Sequence, residues 1–513
     1  MSPEAAMRIA DKILDLDALA LTLDRLRQGK TVVHCHGVFD LLHIGHIRYL
    51  EEARALGDIL VVTLTQDAHV NKGPHRPAFT EALRAEAVAA LGCVDFVAVN
   101  RWPTAVETIG LLRPDVYAKG GEYREAANDP TGKIVDEVRA VEAAGGRVHF
   151  TNGIVFSSSS LINAHYSPFP REVSQYLRDF ARRHPIDAVL GWLDRAAGLR
   201  VLALGETIID EHCYCETLGK SGKEPILAAR FVESERAGGG ILAIANHLAA
   251  FAGTVELCSC LGERDSQEAF VREQLRPGVR PHFLSLPEAT TIVKRRFVEL
   301  YPLQKLFELY IMQGCEESED ASRRMRAVLG ELLPRVDLVL AADYGHGLFD
   351  ADLIDWLSEN APFLAVNAQV NAGNLGFNTV HKYPRADFVC VSEKEIRLAA
   401  RSRDRDLCAV AEETAERLRC PRLLVTRGKQ GCLSWSRDEG FFEIPAFTKH
   451  IVDRVGAGDA VLSVASLLAY LGAPMEVAGM LANLAGAQAV GVMSNRSPLD
   501  KVALVKHCIA LLK

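Results

Sequence analysis

The chain has 513 residues, 49% of them hydrophobic and 24% charged, which is enough for two or three compact domains with cores of their own. Its formal net charge of −8 argues against a duplex nucleic-acid binder, whose affinity comes largely from Lys and Arg set against phosphates. The 12 cysteines are scattered without a C-x-x-C pair; Cys213/Cys215 and Cys258/Cys260 would each share one face of a strand, and the pattern fits a reduced, cytoplasmic compartment.

Asp and Arg recur through the first 27 residues, so no secretory leader is expected there. Helical periodicity covers Leu14 to Arg27. From Thr31 the pattern predicts strands Thr31 to His34, Ile59 to Thr65, Phe96 to Asn100, Val116 to Lys119 and Arg147 to Thr151, alternating with helices Ile47 to Leu56, Arg84 to Leu91 and Val135 to Ala144. Such alternation implies a parallel sheet covered on both faces.

Between the first strand and the first of these helices lies Gly37-Val-Phe-Asp40, followed by His43-Ile-Gly-His46. Two imidazoles three residues apart can share one side of an opening helical turn, and Gly45 between them leaves room for a phosphate. A phosphoryl group in transfer needs donors aimed at its oxygens, which paired His side chains beside a helix N-terminus supply. Two ordinary surface histidines are the alternative, and the upstream G-x-F-D in its strand-to-helix setting weighs against it.

Ser167 to Pro185, with Pro168, Pro170 and many charges, marks a domain junction. The expected division is a first domain over 1–168, a linker over 169–198 and a second, larger α/β domain over 199–513. In the latter, strands are expected at Val201 to Leu204, Val255 to Ser259, Leu338 to Ala342, Phe363 to Val366, Phe388 to Val391 and Leu423 to Thr426, and helices at Asp459 to Leu471 and Val477 to Val490. Ala460 to Met475 is uncharged but short and broken by Pro474, so it reads as a buried helix and not a membrane span. Just before it, Gly456-Ala-Gly-Asp459 sets glycines at a helix entrance, where amides converge on an anion, beside a carboxylate able to take a proton from a hydroxyl.

The first half resembles the HxGH nucleotidyltransferase superfamily, and within it the sugar-phosphate transferase domains of bifunctional heptose kinase/adenylyltransferases. The resemblance spans about residues 30 to 165 and adds Tyr49 to Asp58, Arg84, Leu112-Arg-Pro-Asp115, Lys119-Gly-Gly-Glu-Tyr123 and Phe156 to Ser160. It implies a Rossmann-like fold in which His43 and His46 contact the triphosphate and Lys72 faces the leaving pyrophosphate. Gly37, Phe39, Asp40, Gly45, Arg84, Ser157, Ser158 and Ser159 would bind nucleotide or phosphate, and Lys119 and Glu122 the acceptor. His-Ile-Gly-His also occurs in class I aminoacyl-tRNA synthetases, but no Lys-Met-Ser-Lys-Ser-like loop follows and the net charge disfavours tRNA.

The second half resembles the ribokinase (PfkB) family of sugar kinases, through Gly205 to Asp210, Gly238-Gly-Gly240, Asp343 to Gly347, Thr426 to Gly431 and Gly456 to Asp459. The resemblance implies an α/β domain with a small β lid formed around His212 to Arg230, which can pair subunits into a homodimer. Asp459 would be the catalytic base and Gly456, Ala457 and Gly458 the anion hole. Thr426, Gly428 and Gly431 would border adenosine, and Asp210, Gly238 and Gly239 the sugar. Three departures stand out. Leu242 replaces a sugar-binding Asn, with Asn246 a candidate substitute; Ser392 begins the motif ending in Glu395, which would position Mg²⁺; and Asn367-Ala-Gln369 replaces Asp-Pro-Lys.

Together the two resemblances imply a bifunctional enzyme of nucleotide-sugar synthesis. It would use Mg²⁺ and ATP, or CTP in the first domain, on a heptose-like sugar or sugar phosphate, with neither nucleic acid nor membrane as partner. In the bifunctional heptose enzymes the kinase precedes the transferase. Here the order is inverted.

Overall fold

The computed structural model describes residues 8–70, 76–123, 133–151, 169–301, 303–315, 317–448, 451–493 and 496–512. Two compact units emerge: one runs to Ala181 and also takes in the chain from Val502 onward, and the other is Arg182–Lys501.

The first unit follows the predicted alternation. Helix α1 (Leu16–Leu26) begins at Asp15, whose carboxylate accepts from the Asp17 and Ala18 amides, and it buries Leu16, Leu19 and Leu23, the i, i+3, i+7 stripe. Strands β1 (Val32–Gly37), β2 (Ile59–Thr65), β3 (Phe96–Asn100), β4 (Val116–Lys119) and β5 (Arg147–Phe150) alternate with α2 (Ile44–Arg54), α3 (Glu81–Ala89), α4 (Val106–Leu112) and α5 (Lys133–Ala143). The sheet order is β3-β2-β1-β4-β5, and every pairing is parallel. Parallel strands are covered on both faces, which is why Ile59–Thr65 is apolar but for Thr63 and Thr65. Val33, Cys35, Leu60 and Val62 pack with Leu50 and Val88 on one face, and Val32, Ile59, Val61 and Phe96 pack with Leu19 and Leu23 on the other. Each fully buried Val or Leu contributes about 1.5–3 kcal/mol. Strand order reverses between β1 and β4, and the crevice outside the carboxyl ends at such a point is where open α/β sheets bind ligands.

The stretch expected to be a linker is helical: α6 (Arg171–Arg183) and α7 (Ile186–Ala196). The charges that suggested a linker lie on exposed faces, while Val189, Leu193 and Ala196 are buried.

The second unit has a nine-stranded sheet, β10-β9-β6-β13-β14-β15-β16-β17-β18, and a four-stranded sheet, β12-β11-β7-β8. The larger is built from β6 (Arg200–Gly205), β9 (Thr254–Gly262), β10 (Val279–Leu286), β13 (Leu338–Asp343), β14 (Leu364–Ala368), β15 (Phe388–Ser392), β16 (Arg422–Thr426), β17 (Cys432–Ser436) and β18 (Gly440–Ile444). It is parallel through β16 and antiparallel beyond. The smaller sheet, the lid, comprises β7 (Thr207–Lys220), β8 (Leu227–Gly240), β11 (Ile292–Glu299) and β12 (Gln304–Ile311). It extends the hairpin expected around His212 to Arg230 at both ends and adds two strands from further along the chain. Helix α8 (Ile241–Leu248) is buried along its whole length. The paired helices α9 (Ala457–Tyr470) and α10 (Met475–Ala489) are buried nearly all round, as their uncharged sequences require. Among the described residues no helix is long and apolar enough to cross a membrane.

Candidate functional site

At the carboxyl end of β1 the chain turns sharply. Phe39 has φ 48, and its buried ring lies 5.3 Å from that of His46 and 6.4 Å from that of Tyr49. A Cβ at Gly37 would meet the Phe39 ring at 3.1 Å. Phe39 therefore packs beneath His46, and it shapes the loop from within the core instead of facing a ligand. His43 is the N-cap of α2, its Nδ1 accepting from the Gly45 amide at 3.1 Å. That bond fixes the neutral tautomer with its proton on Nε2, a donor suited to a phosphate oxygen. Burial lowers the His43 pKa and keeps the ring neutral. The His43 and His46 rings lie 4.0 Å apart and tilted by 30°, so the two imidazoles do share one side of the opening turn.

Two charged residues hold the loops, which for Asp40 is one of the two roles expected of it. Asp40 accepts from the Ala78 amide at 2.6 Å and pairs with Arg76 at 3.1 Å. Arg84 is 1% exposed and donates to the carbonyls of Val38, Phe79 and Thr65 and to Asp67. All its nitrogens are engaged, which corrects the expected phosphate contact: Arg84 is a buried clamp tying the β1 loop to the β2 loop. Lys119 pairs with Glu137 at 2.8 Å and donates to the Tyr117 hydroxyl at 3.1 Å. Beside it stand His34 and His36, both bonded to Thr63 Oγ1 at 2.8 and 2.9 Å, with pKa values pushed down by burial, that of His34 to about 3. The sequence signal for this polar face was histidine at alternate positions of a strand. Lys72, Ser157, Ser158, Ser159 and the Glu122 side chain lie outside the described residues.

In the second unit, Gly456 is the N-cap of α9 with φ 83 and no side-chain cap, a backbone state that favours glycine. It leaves the first-turn amides around Ala457 and Gly458 uncapped by any side chain. Asp459, on that first turn, accepts from the Tyr344 hydroxyl at 3.0 Å. Burial pushes its pKa up to about 7, with Asp210 and Glu395 adding to the rise and Tyr344 and Lys294 opposing it. Asp210 on β7 pairs with Arg296 of β11 at 2.5 Å, and a Cβ at Gly239 would come within 2.2 Å of its Oδ2. Only glycine fits opposite that carboxylate. Gly238 is less tightly confined, its Cβ position 3.3 Å from Leu242.

The sequence pattern did not mark Glu206, which accepts from the Tyr344 and His346 amides, both at 3.0 Å, and so fixes the segment carrying Tyr344. Burial and the neighbouring Asp343 raise its pKa to about 7. Nor were Lys294 and Arg296 marked, although two basic residues at alternate positions of an apolar strand were visible. Thr426 ends β16, and Gly428 and Gly431 follow at φ 56 and 88.

Two expected roles are corrected. The Asn246 amide donates to the Gln274 carbonyl and accepts from the Arg276 amide, each at 2.8 Å, so it is spent on the backbone and does not replace the sugar-binding Asn. Glu395 forms a capping box with Ser392, accepting from the Ser392 amide at 2.7 Å and the Val370 amide at 3.1 Å. Both its oxygens serve the backbone. Among the described residues no group of three or more His, Cys, Asp or Glu is arranged to hold a metal. A magnesium ion carried on a triphosphate, needing only one or two carboxylates of the protein, is the form these residues fit.

The folds have counterparts in known families. Residues 34–165 match the cytidylyltransferase-like family, and residues 376–502 match the pfkB family of carbohydrate kinases. The chain thus carries a nucleotidyltransferase-like domain followed by a carbohydrate-kinase domain, both of them transferase domains. Its first part is similar to bifunctional protein HldE of Syntrophotalea carbinolica, 44% identical over 147 residues, which is 28% of this chain and 28% of that protein. It is likewise similar to bifunctional protein HldE of Citrifermentans bemidjiense, 45% identical over 154 residues, or 29% of this chain and 30% of that protein. The matched stretch is thus under a third of either relative's length. In fold, the chain is similar to a mutant phosphofructokinase-2 from Escherichia coli, with TM-score 0.50 and 16% identity, covering 61% of this chain and 99% of that one.

Proposed function

We propose that this chain is a bifunctional enzyme of nucleotide-sugar synthesis. The second unit phosphorylates a heptose-like sugar or sugar phosphate from Mg-ATP. The first joins a sugar 1-phosphate to a nucleotide taken from ATP and releases pyrophosphate. The observation that carries this reading is that each unit sets a reactive side chain at a helix mouth: the imidazole pair on α2, and Asp459 on α9.

In the kinase unit, a sugar hydroxyl held against Asp210 gives its proton to the Asp459 carboxylate while its oxygen attacks the γ-phosphorus and ADP leaves with the electron pair. The open amides of α9 meet the phosphoryl oxygens. When bound, Mg²⁺ supplies charge neutralisation on the β- and γ-phosphates. In the transferase unit, the sugar phosphate attacks the α-phosphorus and pyrophosphate departs. His43 and His46 donate to the phosphate oxygens without forming a bond to phosphorus.

The match of residues 34–165 to the cytidylyltransferase-like family favours a second reading, in which the first unit takes CTP. Homodimerisation through the lid is supported by apolar residues left exposed on its strands, among them Leu218, Leu227, Phe231 and Phe307. The scattered free thiols fit action in the cytoplasm, and lipopolysaccharide sugar supply is the role the first-domain resemblance supports.

Wild-type protein is to be assayed for ADP with fructose-6-phosphate, ribose and a heptose phosphate, and for pyrophosphate with sugar 1-phosphates plus ATP or CTP. Sugar-dependent ADP formation together with phosphate-dependent pyrophosphate release is expected. Absence of the first reduces the second unit to a binding module.

A further inference from the structure

The lid carries a buried lysine for which the fold supplies no acceptor. Lys294, on β11, is 7% exposed, yet among the described residues its ammonium makes neither a hydrogen bond nor an ion pair; the face of the Tyr310 ring lies 5.0 Å away. Desolvation at that depth lowers its pKa. A buried ammonium is normally paired, and the carboxylates around this one are already engaged. Asp210, its neighbour in register on β7, has Arg296. Glu308 of β12 has Arg296 at 3.3 Å and the Tyr310 hydroxyl at 2.9 Å, and Glu206 has two backbone amides. Arg296, on the same face of β11, is spent on two partners. Lys294 is the basic side chain of this face that is not. Its charge also acts on Asp459 and on His346. The ammonium thus stands in register with the carboxylate that would hold the sugar and within electrostatic reach of the carboxylate that would deprotonate it.

We propose that Lys294 is a catalytic residue of the kinase unit: its ammonium donates to the acceptor hydroxyl oxygen of the sugar as that hydroxyl passes its proton to Asp459. This rests on the kinase reading above. In the step, the O–H bond breaks and its proton goes to Asp459, the O–P bond to the γ-phosphorus forms, and the bond to ADP breaks with its electron pair on ADP. Lys294 keeps all its protons and stabilises negative charge that builds on the attacking oxygen before phosphorus neutralises it. The phosphoryl oxygens have their own donors at the mouth of α9, so the two charge-bearing centres are served by different groups.

The groups facing Asp459 are Tyr344, Asp210, Glu395 and Lys294; those facing Lys294 are Asp210, Arg296, Glu308, Glu206 and His346, the last held neutral by burial. Removing the lysine takes a cation from the base. The Asp459 pKa then rises further, and the acid limb of kcat/KM moves to higher pH.

The test uses the full chain, Mg-ATP and whichever sugar of the panel the wild type turns over; if it turns over none, the kinase reading itself falls, and this inference with it. Lys294→Met is expected to lower kcat by roughly 100-fold and shift the acid limb upward, with the KM for ATP within about threefold of wild type. An unchanged kcat overturns the proposal. So does a raised KM for ATP at normal kcat, which would assign the ammonium to the triphosphate. If Lys294→Met lowers the melting temperature, wild-type protein decides: trace acetylation of Lys294 is expected to be blocked by the sugar and not by Mg-ADP, and labelling that ignores the sugar overturns the assignment.

Discussion

The two helix mouths solve one electrostatic problem in different ways. At α2 the cap is itself a candidate catalytic side chain: His43 accepts the Gly45 amide, and that single bond selects the tautomer that presents a proton to phosphate. At α9 the cap is a glycine at φ 83 with no side chain to offer, and the amides of the turn are left to the incoming anion. A mouth that works through side chains can afford to close its own amides; one that works through amides cannot. The reactive groups differ to match. Burial lowers the pKa of the His43 imidazole, whereas Asp459 is held near the pH at which it can both take and release a proton.

The comparison is broken most decisively at the base. Asp459→Asn is expected to lower sugar-dependent ADP formation by roughly 10²–10⁴-fold while pyrophosphate release stays at the wild-type rate; equal loss of both would mean that the mouths are not independent. Next in size, His46→Ala should lower pyrophosphate release by about 10²–10³-fold, the cost of one preorganised donor, and spare ADP formation. Arg84→Met separates a clamp from a ligand. Removing a buried guanidinium leaves three carbonyls without their donor and costs about 1–3 kcal/mol, measurable by urea denaturation, and a variant of native stability with only a raised nucleotide KM would restore the phosphate-binding role.

A smaller contrast lies in pH. Because burial raises the Asp459 pKa to about 7, the base is protonated below that value and kinase kcat/KM should rise with pH through about 7. A flat kinase profile from pH 5 to 9 would contradict the burial of the base. Least of all, Glu395→Gln removes half of a capping box and should cost about 1 kcal/mol with little change in magnesium dependence. A large rise in the magnesium requirement would return Glu395 to the metal.

Much of this was legible in the residues. The strands Ile59–Thr65, Phe96–Asn100 and Val116–Lys119 fall where apolar runs placed them, because a strand buried on both faces leaves an uninterrupted signature. The histidine pair and the glycine-to-aspartate turn were equally plain, since helix-entrance chemistry is local and fits within about four residues. The lid was half legible: its first hairpin is contiguous, but β11 joins β7 across more than 80 residues, and no local pattern encodes such a pairing.

Sequence alone therefore determined the order of the two α/β units, most of the strands of their parallel sheets, and which short segments open helices with glycine or histidine at the entrance, because periodicity and capping depend on near neighbours. Tertiary structure decided what each charged side chain is for. Arg84 and Asp40 are spent on loops, Asn246 on a backbone turn and Glu395 on a helix cap, whereas Lys294 is left unspent facing Asp459. Whether a charge is available to a ligand depends on which distant groups already satisfy it, and only the folded chain brings those groups within hydrogen-bond reach.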